Sequence, residues 1–221
     1  MNVIDEMLAQ PIWRRSGSEE LANTVSHGIG LVAALIGTPL LLQAALQGRS
    51  LGFLIGTLVF TATMLLLYLG STLYHAWPPT RAKSILQVLD HSAIFLLIAG
   101  TYTPFALGPL RGGSGLTMLV VVWVLAIVGV LLKTMRGPAR HRKLAMSLYL
   151  GTGWLGLVVV RPLALAIPLS AVLWLLAGGI AYTAGVLFFV NKRLRYGHFV
   201  WHLFVIAGTG CHFVAVLLCA I

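Results

Sequence analysis

Acidic residues are scarce in this chain. Only five of its 221 residues are Asp or Glu, against fifteen Lys and Arg, and charged residues together make up 9%. A soluble globular domain carries roughly 25% charged residues, so this composition cannot furnish a water-facing surface. Apolar residues reach 59%, more than a chain of this length can hide in one interior. A soluble fold, a disordered chain and a disulfide scaffold are thereby set aside. Cysteine is nearly absent too. Cys211 and Cys219 share one apolar run, which suits buried free thiols better than a disulfide. No HExxH, GxSxG or Walker pattern occurs, which removes the common signatures of zinc proteases, serine hydrolases and P-loop nucleotide enzymes. Residues 1–20 hold acids, Pro11 and no early apolar core, so no signal peptide is evident and the first span is expected to direct insertion itself.

Long apolar runs are abundant instead. A helix needs about 20 mostly apolar residues to cross ~30 Å of hydrocarbon at 1.5 Å per residue. Seven stretches qualify: 24–46, 51–76, 85–107, 115–133, 144–160, 168–190 and 198–220. None alternates with period 2, so helices are expected rather than a barrel. The fifth is the weakest, interrupted around Gly151-Thr152-Gly153 and expected to stop at Arg161-Pro162. The expected fold is all-α: a tail over 1–22, then one seven-helix transmembrane bundle over 23–221.

Basic residues set an orientation. Twelve (Arg14, Arg15, Arg81, Lys83, Lys133, Arg136, Arg140, Arg142, Lys143, Lys192, Arg193, Arg195) fall on one side of the predicted bundle, and three (Arg49, Arg111, Arg161) on the other. Cytoplasmic loops retain Lys and Arg, so the N-terminus is expected in the cytoplasm and the C-terminus outside. The net charge of +10 is then a topology code, with anionic lipid headgroups as the expected partners of the basic loops. No interleaving of aromatic and basic residues suggests a nucleic-acid face.

Ionisable side chains inside spans are costly and mark function. Those here are His27, His75, Asp90, His91, His198, His202 and His212, with His141 in a loop. All but His212 and His141 fall in one slab near the cytoplasmic face. Asp90 is the only acid after residue 20. A lone carboxylate there needs a cation, a metal-bound water or a helix N-terminus, and the dipole at the start of the third span is the structural alternative. His198 and His202 are i and i+4, which puts two imidazoles on one face about 6 Å apart. Helical metalloenzymes use that spacing, although paired interfacial histidines also serve as anchors. Adding His75 makes a three-histidine zinc site with its fourth position open, the pattern of catalytic zinc. Asp90 would then hold the metal-bound water, whose pKa lies near 7, and act as base. Ser71, one turn from His75, would bond that water or a polarised carbonyl; its bland alternative is a back-bond to its own helix. A competing arrangement makes Ser71, His75 and Asp90 nucleophile, base and orienter, but leaves His198 and His202 unused.

Other residues are less specific. Glu20, Asn23 and His27 share a face of the first helix that could pack over the site, or Asn23 or Glu20 could cap that helix. His91 lies about 100° around its helix from Asp90 and is expected to face a neighbouring helix or headgroups. His212 is about 15 Å beyond His202, too far for the same metal, and is expected to be a helix contact with Cys211. Gly178-Gly179 and the Gly151–Gly156 stretch are expected to be close helix packing.

These residues resemble the bacterial hemolysin III family, within the progestin and adipoQ receptor superfamily. The resemblance spans the chain and rests on Glu20-x-x-Asn23-x-x-Ser26-His27-Gly28, Ser71-x-x-x-His75, Asp90-His91-Ser92 with Ala99-Gly100-Thr101-Tyr102-Thr103-Pro104, and His198-x-x-x-His202. It implies seven helices, a cytoplasmic N-terminus and a multi-pass protein of the bacterial plasma membrane. It also implies one zinc ion per chain on His75, His198 and His202, with Asp90 holding a water and Ser71 in the same site. The wider superfamily includes alkaline ceramidases, which implies zinc-dependent hydrolysis of lipid amide or ester bonds. The bacterial name implies a pore-forming cytolysin instead, and a metal-dependent lipid sensor without catalysis is a third reading. A wide charged pore should show polar residues at several depths, whereas the outer halves carry mainly Thr, Gly and Cys, with His212 alone ionisable.

Overall fold

The computed structural model describes residues 16–48, 50–136, 142–191 and 193–220. Asp5, Glu6, Arg14, Arg15, Arg49, Arg140, His141 and Lys192 lie outside the described residues. Among those described, all regular structure is helical: α1 (Gly17–Gln47), α2 (Leu51–Ala76), α3 (Arg81–Leu107), α4 (Gly113–Arg136), α5 (Arg142–Trp154), a 3-10 turn (Leu155–Val159), α6 (Val160–Ala166), α7 (Leu169–Val190) and α8 (Gly197–Ala220). Seven spans are long and apolar enough to cross a membrane, the fifth being Lys143–Ala166. Large apolar side chains cover the outside; Leu21, Ile29, Ile36 and Leu40 on α1 alone are each at least 60% exposed. That is the inverse of a soluble surface, and lipid is the solvent that tolerates it.

Two boundaries differ from the sequence expectation. The first helix begins at Gly17, well before residue 23. Ser16 and Glu19 form a reciprocal capping box: the Glu19 N–H donates to Ser16 Oγ at 3.3 Å, and the Ser16 N–H donates to Glu19 Oε2 at 2.9 Å. Capping starts the helix ahead of its apolar run, so Asn23 and Glu20 are not caps. The fifth span does not stop at Arg161-Pro162 but continues to Ala166. Pro162 is the third residue of α6, within a first turn where a missing N–H costs nothing.

Inside the bundle, α2 and α3 approach closely along small residues. A Cβ on Gly56 would lie 2.6 Å from Pro104 N and 2.8 Å from Thr103 C. The α7–α8 pair interlocks by rings on glycines: the His212 ring lies over Gly178 and the Tyr182 ring over Gly208. Many threonine hydroxyls in the spans bond within their own helices, as Thr57 to the Phe53 carbonyl (2.8 Å) and Thr101 to Leu97 (2.8 Å). These threonines need no water to satisfy their donors.

The fifth span departs most from regularity. Gly151 and Gly153 face open space, so they are not the close-packing glycines expected; Gly156 meets only the Tyr102 ring, at 3.4 Å. Where α5 gives way to the 3-10 turn, Tyr102 OH accepts from the Gly156 N–H (2.9 Å) and lies 2.7 Å from the Gly153 carbonyl, to which it donates. The side chain thus replaces backbone bonds that the break removes. A cavity of about 190 Å³ runs beside this span, walled by α3, α5, α7 and α8.

Candidate metal centre

The ends of four spans meet at the head of that cavity. Ser71 and His75 lie in the last two turns of α2, Asp90 in α3, and His198 and His202 in the first two turns of α8. The start of α1 packs across them. His75, His198 and His202 each offer one ligand atom, and the three atoms lie within 4.8 Å of one another. The three rings are mutually adjacent, with centroids 5.1, 5.0 and 4.6 Å apart. His75 Nε2 and His198 Nε2 are 3.3 Å apart. Two nitrogens bound tetrahedrally at 2.0–2.1 Å from one zinc ion stand about 3.4 Å apart. The donor set and this edge fit a zinc ion with room for a further ligand.

The opposite nitrogens are engaged. His75 Nδ1 is 2.6 Å from Glu20 Oε2. His202 Nδ1 lies 3.0 Å from Ser26 Oγ and 3.2 Å from the Asn23 carbonyl. A carboxylate and a carbonyl only accept, so both Nδ1 atoms carry the proton and the Nε2 atoms are the ones with a ligand lone pair. Such outer contacts fix ligand orientation. The Ser71–His75–Asp90 triad is not formed, because His75 Nδ1 is on Glu20 and the buried Ser71 Oγ has no hydrogen-bond partner.

Asp90, Ser71, His27, His91, His198 and His202 all line the head of the cavity. Asp90 is buried and sits more than two turns into α3, whose cap is Thr80. The helix-dipole alternative therefore fails, since that effect is confined to the first turn. Asp90 Oδ2 lies 4.0 Å from His91 Nδ1, whose N–H is donated to the Gln87 carbonyl at 2.7 Å. His91 faces the cavity rather than headgroups. Both amide atoms of Asn23 and both ring nitrogens of His27 are buried without a partner, and His27 stacks on His202. His212 donates from Nε2 to the Leu175 carbonyl at 3.3 Å and packs edge-on to Tyr182. It is a helix contact within the cavity wall. Cys211 and Cys219 are free.

Three contributors went unread in the sequence. Ser26 supports His202 and was visible only as a letter in the first-span motif. Lys83 counted only as a loop charge, yet it is buried with Nζ 3.8 Å from Glu20 Oε1 and donating to the Trp77 carbonyl at 2.9 Å. The need of Glu20 for a cation was the available signal. Glu19 reads as tail, but its Oε1 accepts from the Tyr196 N–H at 3.1 Å.

Comparison with known proteins agrees with this architecture. The family model described as Haemolysin-III related matches residues 16–213. The chain is 41% identical over 199 residues to a Hemolysin-3 homolog of Bacillus subtilis (strain 168), covering 90% of this chain and 93% of that one. It is 40% identical over 199 residues to Hemolysin-3 of Bacillus cereus, 90% of each chain. A more distant likeness, 24% over 208 residues, is to the human monocyte to macrophage differentiation factor, covering 90% of this chain and 83% of that one. Seven membrane-crossing helices and these relatives make this a multi-pass bacterial membrane protein, and the chain belongs to the haemolysin-III related family.

Proposed function

We propose that this protein is a zinc-dependent hydrolase of lipid amide or ester bonds, with its site in the cytoplasmic leaflet. The observation that carries the reading is the convergence of three imidazoles, two of which (His198 and His202) line a mostly apolar cavity together with Asp90 and Ser71. A zinc ion on His75, His198 and His202 supplies a Lewis-acidic centre and acidifies water at neutral pH. Among the described residues Asp90 is the one carboxylate in the cavity wall, so it takes the proton from the attacking water and returns it to the leaving amine or alkoxide. Ser71 Oγ has an uncommitted donor to place on the acyl oxygen. Apolar walls from α3, α5, α7 and α8 accommodate a lipid chain and exclude bulk water from the head of the cavity. Twelve basic residues on that side support its assignment to the cytoplasm, with anionic headgroups as neighbours.

Lysis through a pore, one way to read the name Hemolysin-3 of the Bacillus cereus relative, needs polar groups along the whole path. Here Thr57, Thr61, Thr101 and Thr103 turn their hydroxyls onto their own helix backbones, which supports a closed site. The test is a hydrolysis screen of zinc-loaded protein in lipid nanodiscs against ceramide, N-acyl and glycerolipid substrates. Asp90→Asn should retain zinc and lose about 10²–10⁴-fold in rate. An asparagine variant as active as the parent would remove Asp90 as the base. A zinc-loaded parent inert across the panel would favour a lipid sensor.

A further inference from the structure

We infer that the adjacent carboxylates Glu19 and Glu20 are a pair of positioning residues, one for each of the two helices that carry the imidazoles. The inference rests on the metal-binding reading of His75, His198 and His202. Consecutive helical residues point about 100° apart, so one turn of α1 can hold two different neighbours.

Glu20 holds α2. Its Oε2 lies 2.6 Å from His75 Nδ1, and its Oε1 lies 3.8 Å from Lys83 Nζ. The ammonium in turn donates to the Trp77 carbonyl, just past the end of α2. A carboxylate cannot donate, so this contact selects the Nδ1–H form of His75 and leaves the Nε2 lone pair facing His198. The negative charge on the far side of the ring also makes Nε2 a stronger ligand.

Glu19 holds α8. Its Oε2 closes the capping box on Ser16, and its Oε1 accepts from the Tyr196 N–H at 3.1 Å. Tyr196 has φ 58°, the only positive φ at a non-glycine residue among those described. It immediately precedes Gly197, where α8 begins, and stands two residues before His198. A bulky side chain seldom adopts this conformation, so the surrounding contacts must hold it there. Tyr196 OH adds a second tie, donating to Ser18 Oγ at 3.2 Å. The direction in which α8 leaves this turn decides where His198 and His202 point. Neither Glu19 nor Glu20 lines the cavity, and neither does His75, whose Nδ1 Glu20 contacts.

The test uses full-length protein in nanodiscs and reads zinc affinity by chelator competition, the cobalt ligand-field spectrum and the ¹⁵N shifts of His75. Glu20→Ala should weaken zinc about 10–100-fold and move the His75 proton off Nδ1, with thermal unfolding of the metal-free protein unchanged. Glu20→Gln, whose amide oxygen still accepts, should recover the tautomer and part of the affinity, and it serves if the alanine variant does not fold. Glu19→Ala should shift the cobalt bands while leaving the His75 tautomer alone. Parental affinity and an intact Nδ1–H in Glu20→Ala would overturn the role of Glu20; an unaltered cobalt spectrum in Glu19→Ala would overturn that of Glu19. His202→Ala tests the metal site separately. If the parent itself takes up neither ion, the metal reading fails, and the tautomer measurement still decides whether Glu20 orients His75.

Discussion

The imidazoles of His27 and His202 stack face to face, with centroids 3.6 Å apart and planes 12° from parallel. Lone pairs on imidazole nitrogens lie in the ring plane, so parallel rings at this separation cannot both aim at one ion. His27 is therefore a packing partner of a candidate ligand and not a fourth ligand, despite its place in the cavity wall. Tyr68 closes its edge at 5.2 Å. His27→Phe preserves the stacking surface, and metal analysis should find it still carrying one zinc per chain.

Loss of a ligand should look different. Purified protein is expected to hold about one zinc per chain, and His202→Ala should lose most of it. Elemental analysis after dialysis against a weak chelator is the measurement, and full retention in His202→Ala would refute the ligand assignment.

Tyr102 should matter for the fifth span rather than for the metal. Tyr102→Phe removes the hydroxyl that bonds Gly156 and Gly153. Leaving those backbone groups unpaired in an apolar setting should cost about 1–3 kcal/mol. A lower Tm and faster amide exchange over 153–156, with zinc content unchanged, are the expected results.

Two glycines in the spans should respond in opposite directions to alanine. At Gly56 the new methyl would press on the backbone of Thr103 and Pro104, and overpacking of this kind costs about 1–3 kcal/mol. At Gly151 nothing lies within 4 Å, so alanine should be neutral or raise stability by up to ~1 kcal/mol. Thermal unfolding of both variants in the same detergent separates a packing glycine from a permissive one.

Residue types and spacing made the spans, the candidate metal trio and the buried Asp90 legible, because hydrophobic length and the i, i+4 rule are local. Boundaries set by chemistry other than hydropathy were not. The capping box at Ser16 started α1 early, and Pro162 fell in a first helical turn instead of ending a span. The glycines of the fifth span showed the same limit, since an empty neighbourhood and a tight one look alike in a string of letters.

The shortage of acids determined more than charge. By itself the sequence required a membrane bundle, since 59% apolar and 9% charged residues cannot be dissolved in water. It also left Asp90 as the sole carboxylate of the later spans. Only the tertiary structure decided what Glu19 and Glu20 touch. Their partners, Tyr196 and His75, are 177 and 55 residues away, and contacts over such distances are set by how helices pack rather than by any local rule.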